Sequence, residues 1–384
     1  MRSVAVVGVG QTKFGEHWNK SLRDLIVEAG NLAIKDAGID RRAIEALYIG
    51  SMSPGRYTGQ EHLGALAADF IQLRVPATRF EGACASGSLA LRNAYINVAS
   101  GRQDVAIVLG VEKMTDVSGA EAITSLAAAG DQEWEAAIGL TFGGLYALMA
   151  RKHMHDYGTT REQMALVSVN NHKNGVNNPW AQFRSPITVN DVLTSSLVAD
   201  PLRLLDCSPL TDGAAALVLM SEQRAKQMAN PVWMLGTGQG SDTIALHDRK
   251  SYTEVAATKI AAREALKDAG VRVDDMNLVE VHDCFSINQI IALEDLGFCA
   301  KGKGGRFVED GNISLDGSIP VNTTGGLKAG GHPVGATGVR QAIDIVRQIR
   351  GDSCNQLNAE KGLTLNIGGS GATAVINVFG REMK

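Results

Sequence analysis

The sequence of 384 residues has no apolar stretch of 18 residues, the length of a membrane-spanning helix, so no membrane span is expected. It has few cysteines: Cys84, Cys207, Cys284, Cys299 and Cys354 make an odd count with no Cys-x-x-Cys pair. A disulfide framework and a zinc site are therefore not expected, and a reducing cytoplasmic setting fits. Met1-Arg2-Ser3 runs straight into Val4–Gly8, too short an apolar run for a secretory leader. Charge of one sign is not in surplus, with 37 basic against 41 acidic residues, and no basic cluster marks a nucleic-acid partner. A hydrophobic share of 45% and a charged share of 20% exclude disorder and coiled coil and leave room for two or three compact units. Glycine is in excess. There are 43 glycines in 384 residues, roughly 11% against a usual ~7%, and they cluster where backbone must approach a ligand or another backbone.

An internal repeat organises the chain. Ala33-Ile34-Lys35-Asp36-Ala37-Gly38-Ile39 reads like Ala265-Leu266-Lys267-Asp268-Ala269-Gly270-Val271, and the register continues into Leu47–Gly50 and Val279–His282. Each copy is a helix with a glycine cap, an acidic connection and a buried strand. Upstream, Val4–Gly10 matches Val232–Gly240. Downstream, Cys84-Ala85-Ser86-Gly87 falls opposite His332-Pro333-Val334-Gly335, and Leu91–Ala94 opposite Val339–Ala342. Val105–Gly110 then pairs with Leu363–Gly368, and Gly213–Leu219 with Gly371–Asn377. Apolar strands alternating with helices predict mixed sheets covered by helices. The first half comprises 1–116 and 206–228, the second 229–384. The segment 117–205 is read as an insertion with helices near 136–157 and 161–173 and an irregular stretch from Asn174 to Pro186.

The repeat places Cys84 and His332 at equivalent points, each in a glycine-rich loop entering a helix. The partial positive charge of a helix N-terminus predicts a lowered thiol pKa for Cys84, and the small neighbours Gly82, Ala83, Ala85, Ser86 and Gly87 leave space for a substrate. His332 suits a general base for that thiol. In Val281-His282-Asp283-Cys284-Phe285-Ser286, an imidazole and a thiol follow a buried strand, where they could steady an oxyanion and shuttle a proton. Metal binding by His282 and Cys284 is the weaker reading, because no third soft ligand is near in sequence. The strand ending Asn366-Ile367-Gly368-Gly369-Ser370-Gly371 exposes backbone N–H groups suited to an oxyanion hole. Gly8-Val9-Gly10 and Gly297–Lys303 fall short of dinucleotide and P-loop patterns.

These motifs in order resemble the four active-site loops of the thiolase family over the whole chain. The His-Asp-Cys-Phe form at 282–285 is similar to that of the sterol-carrier-type and archaeal thiolases. Other thiolases carry a second cysteine on the last loop, where this chain has Asn366, and Cys284 is the natural replacement. The resemblance implies an α/β fold of duplicated α/β/α halves forming a five-layer core with an inserted loop subdomain. It implies an acetyl-CoA C-acetyltransferase making acetoacetyl-CoA, feeding isoprenoid synthesis through mevalonate. Cys84 would carry the acyl group and His332 accept its proton. Cys284 would move the α-proton of the second acyl-CoA and His282 hold the enolate oxyanion. The N–H groups of Cys84 and Gly368 would hold the acyl oxyanion. The inserted loop region resembles the one thiolases use for coenzyme A, with Lys173, Asn174 and Arg184, together with Ser241, as binding residues. No metal and no resident cofactor is implied, since coenzyme A arrives as the thioester substrate. A homodimer or tetramer is implied, and the archaeal likeness adds hydroxymethylglutaryl-CoA synthase and a small zinc-ribbon/OB-fold protein as partners. The rivals are a thiolase of another chain length, a ketoacyl synthase and a non-catalytic lipid or acyl-CoA carrier.

Overall fold

Residues 2–383 are described by a computed structural model. The apolar runs form β1 (Val4–Gln11), β2 (Ala46–Gly50), β3 (Ala77–Phe80) and β4 (Val105–Glu112), then a short hairpin of β5 (Leu197–Ala199) and β6 (Leu202–Arg203). β7 (Gly213–Ser221), β8 (Val232–Ser241), β9 (Leu278–Glu280), β10 (Lys361–Gly368) and β11 (Thr373–Gly380) follow. Nine strands join in one sheet, ordered β3-β2-β4-β7-β1-β8-β11-β10-β9. The order on one side of the β1/β8 seam mirrors the order on the other. β1 matches β8, β7 matches β11, β4 matches β10 and β2 matches β9. The seam is a short antiparallel pairing, Val4 with Met234, Ala5 with Trp233 and Val6 with Val232. The partner of β3 in the second half is reduced to one parallel bridge, Val279 to Val321.

Strand alternation sorts the core into layers. Ala5 and Val7 point outward into a cluster with Leu25, Ile26, Ala261 and Ala265, from the helices Leu22–Ala37 and Ala256–Ala269. Val4 and Val6 point inward into a second cluster with Leu91, Ala94, Val339 and Ile343, from the helices Ser86–Ala99 and Thr337–Arg350. The sheet wraps the inner pair, so helices and sheet stack in five layers. The outer pair carries matching signals. Leu22–Ala37 begins at a capping box between Ser21 and Asp24 and ends at Gly38, and Ala256–Ala269 ends at Gly270, both glycines left-handed.

The inner helices approach so closely that side chains are excluded between them. A methyl on Gly87 would lie 2.6 Å from the Gly335 carbonyl oxygen, and one on Gly338 would lie 2.5 Å from the Ser88 nitrogen. The stretch between β4 and β7 holds the helices Gly119–Ala127, Phe142–Tyr157, Arg161–Gly175 and Val189–Thr194. The helix anticipated from 136 starts at Phe142, because Ala136–Ile138 closes as a separate turn at left-handed Gly139 and Thr141 caps the new helix. Gly87→Ala is expected to cost about 1–3 kcal/mol by overpacking this contact, whereas Gly119→Ala, with nothing near its Cβ position, should stay within about 0.5 kcal/mol. Denaturant and thermal unfolding of both variants check this, and equal stabilities would refute the close-packing account.

Candidate active site

Cys84 sits in a single turn, Ala83–Ala85, that leads into the helix Ser86–Ala99. Ala83 takes a left-handed backbone, φ 53°, which turns the thiol inward at a cost of about 1 kcal/mol. The turn is stitched by Ser86 Oγ, which donates to the Ala83 carbonyl at 2.6 Å, and by Glu81, which accepts from the Ala83 N–H at 2.6 Å. Across the helix pair, the His332 N–H donates to Thr211 Oγ1 at 2.9 Å. Glu112, at the end of β4, accepts from the N–H of Met52 and Ser53 and the hydroxyl of Ser51, and also from the N–H of Gly335. One buried carboxylate thus ties the His332 loop to the first half.

The hydrogen bonds assign the two histidine tautomers. The Thr337 hydroxyl has one proton, which it donates to the Pro333 carbonyl at 3.1 Å. With its proton there, it accepts from His332 Nδ1 at 2.7 Å, the arrangement that leaves His332 Nε2 as a free lone pair. His282 is set the other way. Asn366 Nδ2 lies 3.1 Å from His282 Nδ1 and donates to it, so His282 carries its proton on Nε2. That Nε2 is buried without a protein partner among the described residues. One ring can take a proton and the other can give a hydrogen bond. They meet edge to face with centroids 5.0 Å apart. The asparagine at the position of the missing cysteine thus orients His282.

The loop after β9 is held by its own acid. Asp283 accepts from the Leu327 N–H at 2.7 Å and from Asn171 Nδ2 at 2.7 Å, while the Cys284 carbonyl accepts from the Ser208 N–H at 2.8 Å. Cys284, Cys84 and His332 line one cavity of about 90 Å³, walled by Met114, Leu126, Phe142, Tyr146, Leu210, Phe285 and Val334.

Burial dominates the electrostatics and corrects the expectation of a low-pKa nucleophile. Desolvation pushes the Cys84 thiol up to about 12, although the N–H groups of Gly369 and of Cys84 itself hydrogen-bond the sulfur and oppose the shift. The helix N-terminus is present, but loss of water outweighs it. Burial also raises the Cys284 thiol. Desolvation, with the Arg340 guanidinium, holds His332 down to about 3, and His282 is likewise lowered, first by burial and then by His332 and Arg340. Arg340 is itself buried, paired with Asp344 at 2.5 Å and Glu280 at 3.5 Å. At neutral pH the resting site holds neutral thiols and neutral imidazoles.

The remaining sequence-derived residues fall in different places. Besides that of Cys84 itself, the N–H that reaches the Cys84 sulfur belongs to Gly369, one residue beyond Gly368. Ser241 is exposed at the end of β8, opposite Thr373, which lines a groove beside Gly82, Ala83 and Gly368. Lys173 and Arg184 are exposed and do not line the cavity. Asn174 is buried and structural, with Nδ2 donating to the Asn322 carbonyl at 3.2 Å. Sequence reasoning missed Tyr146, Glu112, Thr337 and Arg249. Arg249 is buried and donates to the Ser370 carbonyl at 2.7 Å, bracing the glycine turn. No local pattern marks Tyr146, Glu112 or Arg249, whose partners are distant in sequence, whereas Thr337 lies in the 330–338 motif, five residues from His332.

The ligand atoms of Cys84, His282 and His332 all lie within 4.8 Å of one another, a set of donors that could share a metal ion. It is not the His282–Cys284 pair considered from sequence, and the Nε2–H tautomer of His282 makes it a donor instead of a ligand. A thiol beside an unprotonated imidazole, with N–H donors beside a small, mostly apolar cavity, is equipped to pass an acyl group through a thioester. Fold and site together define an acyltransferase built from two duplicated α/β halves. Comparison with known proteins agrees. Residues 4–223 match the model of the thiolase N-terminal domain, and residues 238–381 that of the thiolase C-terminal domain-like family. An acetyl-CoA acetyltransferase of Methanothermobacter thermautotrophicus is 55% identical over 99% of this chain and 100% of its own length. One of Methanocaldococcus jannaschii is 49% identical over 99% of both. The solved structure of the Ltp2-ChsH2(DUF35) aldolase superposes with a TM-score of 0.85 at 27% identity, covering 98% of this chain and 97% of that one. This chain belongs to the thiolase family.

The raised thiol pKa has a direct readout. Iodoacetamide alkylation of Cys84, followed by peptide mass spectrometry, is expected to climb about tenfold per pH unit past pH 9, beyond where an ordinary thiol levels off. A plateau below pH 8 would mean a thiolate in the resting enzyme.

Proposed function

We propose that the chain catalyses the reversible condensation of two acetyl-CoA molecules to acetoacetyl-CoA through an acyl-Cys84 intermediate. The observation that carries this reading is the cavity holding Cys84, Cys284 and His332. Its volume is about 90 Å³ and its walls are mostly apolar, room for a short acyl group beside the two thiols and the imidazole. The full-length relatives named acetyl-CoA acetyltransferase support the same substrate.

The protons balance as follows. His332 Nε2 takes the Cys84 proton as the sulfur attacks the first thioester, with the N–H groups of the Cys84 loop and the 368–369 turn facing the carbonyl oxygen. The departing coenzyme A thiolate takes a proton from Cys284 or, where that thiol is missing, from water. The Cys284 thiolate then removes an α-proton from the second acetyl-CoA, and His282 Nε2–H donates to the enolate oxygen. The carbanion attacks the acetyl carbonyl, the C–S bond to Cys84 breaks, and His332 returns the proton to Cys84. Coenzyme A is bound as part of the substrate, with Ser241, Lys173 and Arg184 the candidates for its outer parts, and no resident cofactor or metal takes part. Residues 117–205 form the subdomain that covers the site, inserted between 1–116 and 206–228 of the first half, with 229–384 as the second.

We place the enzyme in the cytoplasm, supplying the route to mevalonate, with hydroxymethylglutaryl-CoA synthase and a zinc-ribbon/OB-fold protein as partners. The DUF35 component of the aldolase that superposes on this chain supports an accessory partner of that kind. No helix among the described residues is long and apolar enough to cross a membrane.

Two experiments test this. Cys84→Ala should abolish, and Cys84→Ser nearly abolish, acetylation by acetyl-CoA. Cys284→Ala should still acetylate Cys84 while condensation and thiolysis fall about 10²–10⁴-fold. Labelling at Cys207 or Cys354, or near-normal turnover of Cys284→Ala, would overturn the assignment. The open edge of β3 supports self-association through the first half. Light scattering should give a dimer or a dimer of dimers, and a monomer at working concentration would contradict it.

A further inference from the structure

Tyr146 is buried, and it comes from the helix Phe142–Tyr157 of the inserted segment, not from any of the four motif loops. Its ring stacks on Phe285, the residue after Cys284, with centroids 4.6 Å apart and an interplanar angle of 25°. Its hydroxyl donates to the Gly369 carbonyl oxygen at 3.1 Å, and Tyr146 and Cys284 line the same small cavity. One O–H group therefore holds the turn whose N–H reaches Cys84, beside the cavity that the second thiol lines.

A phenol has one proton to donate and lone pairs to accept. While Cys284 is a thiol, its S–H can point at the Tyr146 oxygen and the Tyr146 proton goes to the Gly369 carbonyl. A Cys284 thiolate has no proton to offer, so the Tyr146 O–H must turn to the sulfur. Asn288 Nδ2 stands 4.0 Å from that sulfur, but donates mainly to the His282 carbonyl, at 2.5 Å. A buried thiolate without a close donor would be strongly disfavoured.

We propose that Tyr146 is a further catalytic residue, whose hydroxyl swings between the Gly369 carbonyl and Cys284 and stabilises the Cys284 thiolate during α-proton transfer. The phenolic O–H bond never breaks. When the substrate's α-proton arrives on sulfur, the new S–H donates back to the Tyr146 oxygen and the phenol proton returns to Gly369. The charged groups facing this pair act in the same site. Lys328 is buried, donates from Nζ to the Asp206 carbonyl and favours the thiolate, whereas Asp283 and an ionised Cys84 oppose it. Once Cys84 is acetylated it carries no charge, so its opposition is removed at the step where the thiolate is needed. The inference rests on the reading of Cys284 as the second base.

Tyr146→Phe tests it, since the ring and its stack remain. Cys84 acetylation should fall less than condensation, because water can protonate the departing coenzyme A thiolate in place of Cys284. Condensation and thiolysis should fall about ten- to a hundredfold, the size of a lost hydrogen bond to a charged group. The limb of their pH profile that reports the Cys284 thiolate should move to higher pH. Unchanged condensation, or equal losses in both half-reactions with an unmoved limb, would reject a role at Cys284. Should Tyr146→Phe fold poorly, 3-fluorotyrosine at 146, a more acidic donor, should move the limb to lower pH, and no movement would reject the proposal. Failure of the parent reading looks different, because Cys284→Ala would then condense normally whatever happens at Tyr146.

Discussion

Everything at this site depends on how closely two helices can approach. Ser86–Ala99 and Thr337–Arg350 are equivalent elements of the repeat, and they meet back to back inside the wrapped sheet. The contact is backbone on backbone at Gly87, Gly335 and Gly338. The residues that begin these helices are thereby brought face to face, which is why a thiol and an imidazole 248 positions apart (332 − 84) share one cavity. A side chain between the helices would push the two loops apart, and misplacement of about an ångström is enough to impair catalysis by orders of magnitude.

The same burial decides the electrostatics. Dry surroundings raise both thiols and depress both imidazoles, and the Arg340 guanidinium beneath the histidines adds to the second effect. Burial thus disfavours a resting thiolate–imidazolium pair and favours proton transfer together with bond formation. In such a site each hydrogen bond to a developing charge counts for more than it would in water. The two tautomers, fixed by Thr337 and Asn366, then matter as much as the identity of the rings.

The inserted segment is integral to this arrangement. Asn171 holds Asp283, Gln182 accepts from the Thr211 hydroxyl that receives the His332 N–H, and Tyr146 closes the cavity over Cys284. Each is a single side chain reaching across the fold to a motif loop. The segment therefore helps to position the motif loops around the cavity.

Much of this was legible in the residues. The duplicated helix–cap–strand pattern, Ala33–Ile39 against Ala265–Val271, determined two equivalent halves because period and capping are local properties. The same alignment paired Cys84 with His332, and the glycine clusters marked where backbones must touch. The reading failed where the answer depends on distant partners. Asn174 looked like a ligand residue and is a buried brace to Asn322. Cys84 looked acidic from its helix start, yet its surroundings desolvate it. Tyr146 and Glu112 carry no motif at all. Strand period, helix caps and repeats are written in neighbouring residues, so the sequence by itself determined the fold and the pairing of Cys84 with His332 across the repeat. Solvent exclusion, tautomer and the company each group keeps arise only when remote segments pack together, and these the tertiary structure alone decided.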